Sequence, residues 1–187
     1  VLSIMLLASP AAAFNWNDLF KANVRVVHAS PDAPAVDVLA DGAVAFSDVE
    51  FEEVTDYAKI SRGAYDIQVV PTGATEPVVI DANLDFVNRR YYTILAVDTL
   101  SSIEPIVLED RLWGVGNNKA KLRFVHASPD APAVDIAVQD GPVLFSDIEF
   151  KEVGNYIKVP TGEYDLEVRL AGTNTAVLQL DGVELNN

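Results

Sequence analysis

The chain has 187 residues, half of them hydrophobic, and its 28 acidic side chains outweigh 13 basic ones to give a formal net charge of −15. A field of that sign repels phosphate backbones and anionic lipid surfaces, which argues against a nucleic-acid partner. The sequence contains no cysteine, so thiol catalysis, disulfide bonds and cysteine-based metal sites are excluded.

Residues 1–21 form an apolar leader ahead of the rest of the chain. Its first thirteen residues resemble the core of a secretory signal that ends in small residues. About ten apolar residues are too few to cross a bilayer as a helix. This pattern predicts a secreted, extracellular protein of the cell surface with no stable membrane span. The alternative is a leader that is retained as a donor strand, whose apolar side chains are those of Val1, Leu2, Ile4, Leu6 and Leu7.

From residue 22 onward, short runs rich in β-branched and aromatic residues alternate with turn signals. The alternation is clearest where Tyr65, Ile67 and Val69 point one way and the residues between them point the other. No stretch supports a long helix, so the sequence predicts an all-β fold, a sandwich or a barrel. The predicted strands of the first part are Val24–Ala29, Ala35–Ala40, Ala43–Phe46, Tyr57–Ile60, Ala64–Val70, Val78–Phe86, Tyr91–Asp98 and Ile106–Asp110.

An eleven-residue string, V-H-A-S-P-D-A-P-A-V-D, occurs at Val27–Asp37 and again at Val125–Asp135. Such an internal repeat predicts two tandem domains, which we place at residues 22–111 and 119–187 with a glycine-containing linker at 112–118. When the two copies are aligned, nothing in the second corresponds to Tyr91–Val97 or to Pro105–Leu108. We therefore expect the second domain to lack its closing strands.

The repeated loop contains both histidines of the chain, and two interpretations of it stay open. The prolines favour a rigid loop, in which serine and aspartate bind nearby backbone amides and histidine ties the loop back. The other interpretation is a calcium site at Asp32, Asp37, Asp130 and Asp135, although the spacing matches neither a calcium loop nor a zinc pattern. The loop residues are His28, Ser30, Pro31, Asp32 and Pro34, repeated as His126, Ser128, Pro129, Asp130 and Pro132.

A hydrolase interpretation of this loop has little support. Ser30 lies two residues from His28, but no glycine-rich oxyanion turn and no nucleophile elbow accompany it. We therefore predict that the protein is not an enzyme, with no catalytic residues and no cofactor other than the calcium just considered.

The tyrosines offer a carbohydrate-binding face as an alternative to ordinary packing. At strand spacing, rings of this kind more often belong to the core and to sheet edges. The residues concerned are Tyr57, Tyr65, Tyr91, Tyr92, Tyr156 and Tyr164.

The repeated string, followed by D-G, F-S-D and Y-Y-T-I-L-A-V, resembles domain of unknown function 4397 over nearly all of residues 23–110 and most of the second copy. That family occurs in secreted and surface proteins of bacteria and archaea, often as tandem copies. The resemblance implies immunoglobulin-like or transthyretin-like β-sandwiches outside the cell. It brings no established catalytic residues, and the second copy departs from the family in its closing strands.

Together these features predict an extracellular structural protein. A strand of one copy would complete the second sandwich of its neighbour, by donor-strand complementation. Because head-to-tail donation does not close on itself, the product would be a cell-surface filament, a homopolymer of this chain. The alternative is a monomeric cell-surface module that binds calcium, a glycan or a protein partner.

Overall fold

A computed structural model describes residues 20–186, and within them the chain is all-β, as predicted. A 3₁₀ turn lies at Leu100–Ser102. The strands are β1 (Lys21–His28), β2 (Val36–Ala40), β3 (Ala43–Val49), β4 (Ala58–Ser61), β5 (Gly63–Pro71), β6 (Ile80–Phe86), β7 (Tyr91–Val97), β8 (Glu104–Asp110), β9 (Lys119–Leu122), β10 (Val134–Val138), β11 (Val143–Ile148), β12 (Ile157–Pro160), β13 (Gly162–Leu170) and β14 (Ala176–Leu185).

By their contacts these residues divide into two units, 20–111 and 112–186. The first unit is a sandwich of two four-stranded sheets, ordered β4–β1–β7–β8 and β3–β2–β5–β6. Strand β1 pairs antiparallel with β4 and parallel with β7. The eight predicted strands are all present, and their ends differ from the predicted ones by three residues at most.

The core of the first unit lies between its two sheets. Every second residue of a strand points inward, so the buried apolar side chains come from alternating positions. Phe86 is among the largest of them and is 1% exposed. The main members are Val24, Val26, Val36, Val38, Ile67, Val69, Ile80, Phe86, Tyr92, Ile94 and Ala96.

The second unit repeats this plan with fewer strands. Its four-stranded sheet β11–β10–β13–β14 corresponds to β3–β2–β5–β6, and its two-stranded sheet β12–β9 corresponds to β4–β1. Residues 112–186 contain no counterpart of β7 or β8.

Two predictions about the leader fall outside the described range. Both the donor-strand and the secretory-signal interpretations concern residues 1–21, of which the structure describes the last two. Across the described residues, no helix has the length and apolar character needed to span a membrane.

We predict that Phe86→Ala destabilises the first unit by about 3–5 kcal/mol, because it removes a ring that is enclosed on all sides and leaves a cavity. Denaturant unfolding of the full chain measures this loss. Val44→Ala is the matched control: Val44 is 58% exposed, and its truncation should change the free energy of unfolding by no more than about 0.5 kcal/mol. Similar effects of the two substitutions would contradict the proposed position of the core.

Candidate functional site

The repeated loop begins at the last residue of β1, where the ring of His28 is fully buried. Its Nε2 lies 3.0 Å from the carbonyl oxygen of Pro34, and its Nδ1 lies 3.3 Å from the backbone nitrogen of Ser30. Because an amide can only donate and a carbonyl can only accept, the ring is the neutral tautomer that carries its proton on Nε2. The imidazole thus closes the loop from inside.

The second unit repeats this geometry. Nε2 of His126 lies 3.0 Å from the carbonyl oxygen of Pro132, and its Nδ1 accepts from the backbone nitrogen of Ser128 at 3.3 Å. An aromatic ring stands edge-on to each imidazole, Phe51 in the first unit and Phe150 in the second, at centroid distances of 6.1 and 6.2 Å. Both copies of the loop are therefore held by the same three contacts to a buried histidine.

This arrangement leaves the imidazole without a ring nitrogen for chemistry. A general base must present a lone pair to the proton that it removes, and in a serine hydrolase that proton belongs to the nucleophile. Here Nδ1 of His28 accepts from the backbone of Ser30, while the Ser30 hydroxyl is buried and has no hydrogen-bond partner among the described residues. The hydrogen bonds of His28 therefore hold the loop in its conformation.

Asp37, on β2, accepts hydrogen bonds from an amide of β3 and from an amide of the turn that follows β5. Its Oδ1 accepts from the amide of Asp48 at 2.8 Å, and its Oδ2 accepts from the amide of Gly73 at 2.9 Å. These two amides, Gly73 first, hold the pKa of the Asp37 carboxyl below its ordinary value. Asp135 repeats the pair of bonds in the second unit, with Asp147 at 2.7 Å and Gly172 at 3.0 Å.

The F-S-D repeat explains how the backbone reaches these carboxylates. Asp48 and Asp147 have φ of 56° and 54°, the left-handed conformation that aspartate adopts more readily than most residues. The register of β3 against β2 shifts near Asp48, as at a β-bulge. The bulge turns the amide of Asp48 toward Asp37. The F-S-D string therefore supplies one of the two amides that bind the aspartate of the repeated loop.

Asp32 and Asp130 differ between the units. Asp32 accepts at 2.7 Å from the amide of Leu100, which lies in the turn between β7 and β8. Asp130 instead accepts at 2.9 Å from the hydroxyl of Ser128, and this bond is the main cause that lowers the pKa of the Asp130 carboxyl. The expectation that Ser30 and Asp32 bind nearby backbone amides is wrong, since the Ser30 hydroxyl binds none of the described groups and Asp32 reaches a strand connection far along the chain.

The four aspartates considered for calcium thus have their nearest partners in backbone amides or a hydroxyl. Among residues 20–186, no three histidine, aspartate or glutamate side chains gather closely enough to hold a metal ion. The cavity inside the first sandwich has a volume of 10 Å³ and an apolar lining that includes Val26, Val38 and Ile94. That volume holds one water molecule at most.

A buried polar network in the first unit was not found by the sequence analysis. Nε of Arg25 donates to the hydroxyl of Thr93 at 2.9 Å, and both Thr93 and the hydroxyl of Tyr57 donate to Oδ2 of Asp110. The guanidinium carbon of Arg25 lies 4.4 Å above the ring of Tyr57. Burial and the nearby Asp110 charge raise the pKa of Tyr57, which stays a hydrogen-bond donor.

This network joins β1, β7 and β8, and half of it recurs in the second unit. The guanidinium carbon of Arg123 lies 4.5 Å above the ring of Tyr156. The positions of Thr93 and Asp110, however, are on β7 and β8, which have no counterpart in residues 112–186. The repeated Arg–Tyr pair was the signal by which the sequence could have revealed this site.

The tyrosines of the first unit are used in packing. Tyr92 is buried and meets Phe86 edge-on at 5.2 Å, and Tyr57 meets Tyr91 in the same way at 5.2 Å. Tyr65 packs against the apolar core. Such edge-to-face pairs are a common packing arrangement of rings, whereas a sugar requires a free ring face.

Fold and loop together define a tandem all-β protein in which each repeat is fastened by a buried histidine. The family model described as "Domain of unknown function (DUF4397)" matches residues 22–137 and again residues 128–187. The chain therefore belongs to this family, as the resemblance of its repeated string predicted.

No curated protein matches the chain. Nine chains of solved structures match it, and one of these is the Bacillus anthracis TIE protein, with 11% sequence identity and a TM-score of 0.30. That match covers 89% of the present chain and 32% of the other, so the chain spans about a third of that structure. A likeness at this TM-score carries no weight for the fold or the function.

We predict that His28→Ala destabilises the first unit by about 2–4 kcal/mol, because it opens a cavity and leaves a buried amide and a carbonyl unpaired. Denaturant unfolding of the full chain measures this loss. His126→Ala is the matched variant and should shift the unfolding of the second unit instead. A wild-type unfolding curve for either variant would contradict the structural role of the loop.

The contribution of Asp37 to stability depends on pH. Because the folded state lowers the pKa of Asp37 below its ordinary 3.8, this carboxylate stabilises the fold above that pH, and its contribution is lost as the pH falls through the lowered pKa. Asp37→Asn should therefore destabilise the protein at neutral pH, and the difference from wild type should narrow below pH 3.8. Asp85→Asn, at an exposed position, is the control. A difference that stays constant down to full acid unfolding would contradict this role.

Proposed function

We propose that this protein is a non-enzymatic extracellular structural protein, a subunit of a cell-surface filament in which a β-strand from one copy completes the second unit of its neighbour. The observation that carries the proposal is the contrast between the two units. In the first, β7 lies between β1 and β8. In the second, residues 112–186 supply no strand at the equivalent place beside β9.

The place of β7 is favourable for an added strand. A strand that enters a sheet satisfies the backbone amides and carbonyls of its neighbour, which are costly to bury unpaired. It also covers apolar side chains, and six of the seven residues of β7 are buried. Strand addition is an established mode of recognition that combines these two contributions.

Head-to-tail addition favours a filament over a closed dimer. Donor segment and acceptor unit are different surfaces of the same chain, so each added copy leaves one free donor and one free acceptor. The net charge of −15 opposes this association at low salt, and ionic strength or divalent cations would relieve the repulsion.

The repeated loop supports a structural role over catalysis. Each histidine is buried at 0–1% exposure and uses both ring nitrogens within its own loop. The extracellular location rests on the apolar leader and on the resemblance to secreted and surface proteins. We propose that the units are immunoglobulin-like or transthyretin-like sandwiches, and the two four-stranded sheets of the first unit are compatible with this proposal.

Electron microscopy of the purified full chain at moderate salt tests this function. We expect regular fibres from the full chain and dispersed particles from a variant that lacks Val1–Ala8, because that variant has lost the proposed donor. Deletion of Ala11–Ala13 shortens the leader outside the donor and serves as the control, which should still form fibres.

Dispersed particles from the full chain would contradict the proposal and favour the monomeric surface module that binds calcium, a glycan or a protein. Fibres that persist without Val1–Ala8 would contradict strand donation by the leader. Calorimetry tests whether the repeated loop binds calcium. Calcium binding that disappears in the Asp32→Ala, Asp130→Ala double variant would assign a binding function to the loop.

A further inference from the structure

We infer that Asp32 is a two-state switch between the repeated loop and the connection from β7 to β8, residues 98–103. In the closed state its carboxylate binds the amide of Leu100, and in the open state the connection is released and the carboxylate binds the hydroxyl of Ser30. The inference concerns the first unit alone. It goes beyond the filament proposal and does not rest on it.

The two copies of the loop have the same sequence and the same internal hydrogen bonds. The eleven residues Val27–Asp37 are identical to Val125–Asp135. In each copy the histidine lies 3.0 Å from a proline carbonyl oxygen and 3.3 Å from the backbone nitrogen of the serine. A difference between the two copies in the position of an aspartate side chain therefore has its cause outside the loop.

Such a difference exists at the aspartate two residues after the serine. Oδ1 of Asp32 accepts from the amide of Leu100 at 2.7 Å. In the second copy Oδ1 of Asp130 accepts from the hydroxyl of Ser128 at 2.9 Å. One loop sequence thus adopts two side-chain arrangements, and both are present in the same protein.

The buried hydroxyl of Ser30 marks the arrangement that Asp32 has left. Ser30 is 0% exposed, and its hydroxyl has no hydrogen-bond partner among the described residues. Nearly all buried polar groups are paired, because an unpaired one costs free energy. The second copy shows that the following aspartate can reach this hydroxyl. Ser30 is therefore unpaired in the closed state and paired in the open state.

The connection is placed where it can open by itself. Leu100 is 38% exposed, and its hydrogen bond to Asp32 lies at the surface. The neighbouring strand β7 is different, since its residues 92–97 are all buried. Water can therefore reach the bond between Asp32 and Leu100 while β7 stays in its sheet, which is a local opening of the fold.

The switch lowers the free energy that this opening requires. When the connection is released, water binds the freed amide of Leu100, and the Asp32 carboxylate gains the hydroxyl of Ser30. Both hydrogen bonds of the carboxylate are charge-assisted, so one largely replaces the other. A loop without the serine hydroxyl would lose the first bond and gain none from the protein.

Removal of the Leu100 amide tests whether Asp32 changes partner. Leu100 is the first residue of the 3₁₀ turn, and Thr99 before it has φ −72° and ψ 156°, the extended conformation that a residue before proline prefers. In a crystal structure of the full chain with Leu100→Pro, we expect the Asp32 carboxylate on the Ser30 hydroxyl, at the distance found for the equivalent pair of the second unit.

Leu100→Ala is the matched control, because it shortens the same side chain and keeps the amide. Its structure should show Asp32 still bound to the backbone of residue 100. A Leu100→Pro structure in which the Ser30 hydroxyl stays unpaired would overturn the inference.

Hydrogen exchange of the Leu100 amide tests the switch without altering the connection. In Ser30→Ala we expect this exchange, followed by NMR in the full chain, to slow about tenfold, because the open state loses its hydrogen bond and the closed state loses none. Ser47→Ala, at an exposed serine of the same unit, is the control and should leave the rate unchanged.

In a loop without a switch, the Ser30 hydroxyl would be unpaired whether the connection is closed or open. Its removal would then leave the exchange rate of the Leu100 amide as it is in the wild type. An unchanged rate in Ser30→Ala would therefore overturn the inference, whatever the outcome of the microscopy on filaments.

Discussion

Parallel pairing of β1 with β7 is the constraint on which the first unit depends. It brings residues from opposite ends of the unit side by side, with Arg25 opposite Thr93 and Val26 opposite Ile94. Because β7 also pairs with β8, it lies inside the sheet between two neighbouring strands. Its side chains are buried on both faces of that sheet. The buried hydrogen bonds from Arg25 through Thr93 to Asp110 then fix the register.

The repeated loop serves the same architecture. In both units a buried histidine holds the connection between the two sheets, and an aspartate that accepts two backbone hydrogen bonds holds the strand after it to a neighbouring strand and turn. The distances in the two units are nearly identical. The units differ where the loop meets the closing strands: Asp32 binds the amide of Leu100, whereas Asp130 binds its own loop at Ser128. The second unit thus keeps the histidine and aspartate hydrogen bonds of the first. It differs where the loop of the first unit contacts the connection between β7 and β8.

Much of the fold was predictable because it is encoded locally. Turn pairs and period-two alternation indicate strands wherever they occur, and the repeated string shows that there are two units. Which strands become neighbours is not local, and neither the parallel pairing nor the bond from Asp32 to Leu100, 68 residues away, has a signal in one sequence. The loop residues were identified by their repetition, but Arg25 and Tyr57 were not, because their partner Asp110 is in a strand that the second unit does not repeat.

The central claim is that a strand at the β7 position completes the second unit. Backbone hydrogen exchange of β9 tests it most directly, with the full chain compared to a variant lacking Val1–Ala8. We expect alternate amides of β9 to be protected in the full chain and to exchange rapidly in the variant, while β10, which pairs with both β11 and β13, stays protected in each. Equal protection of β9 in the two proteins would contradict the account.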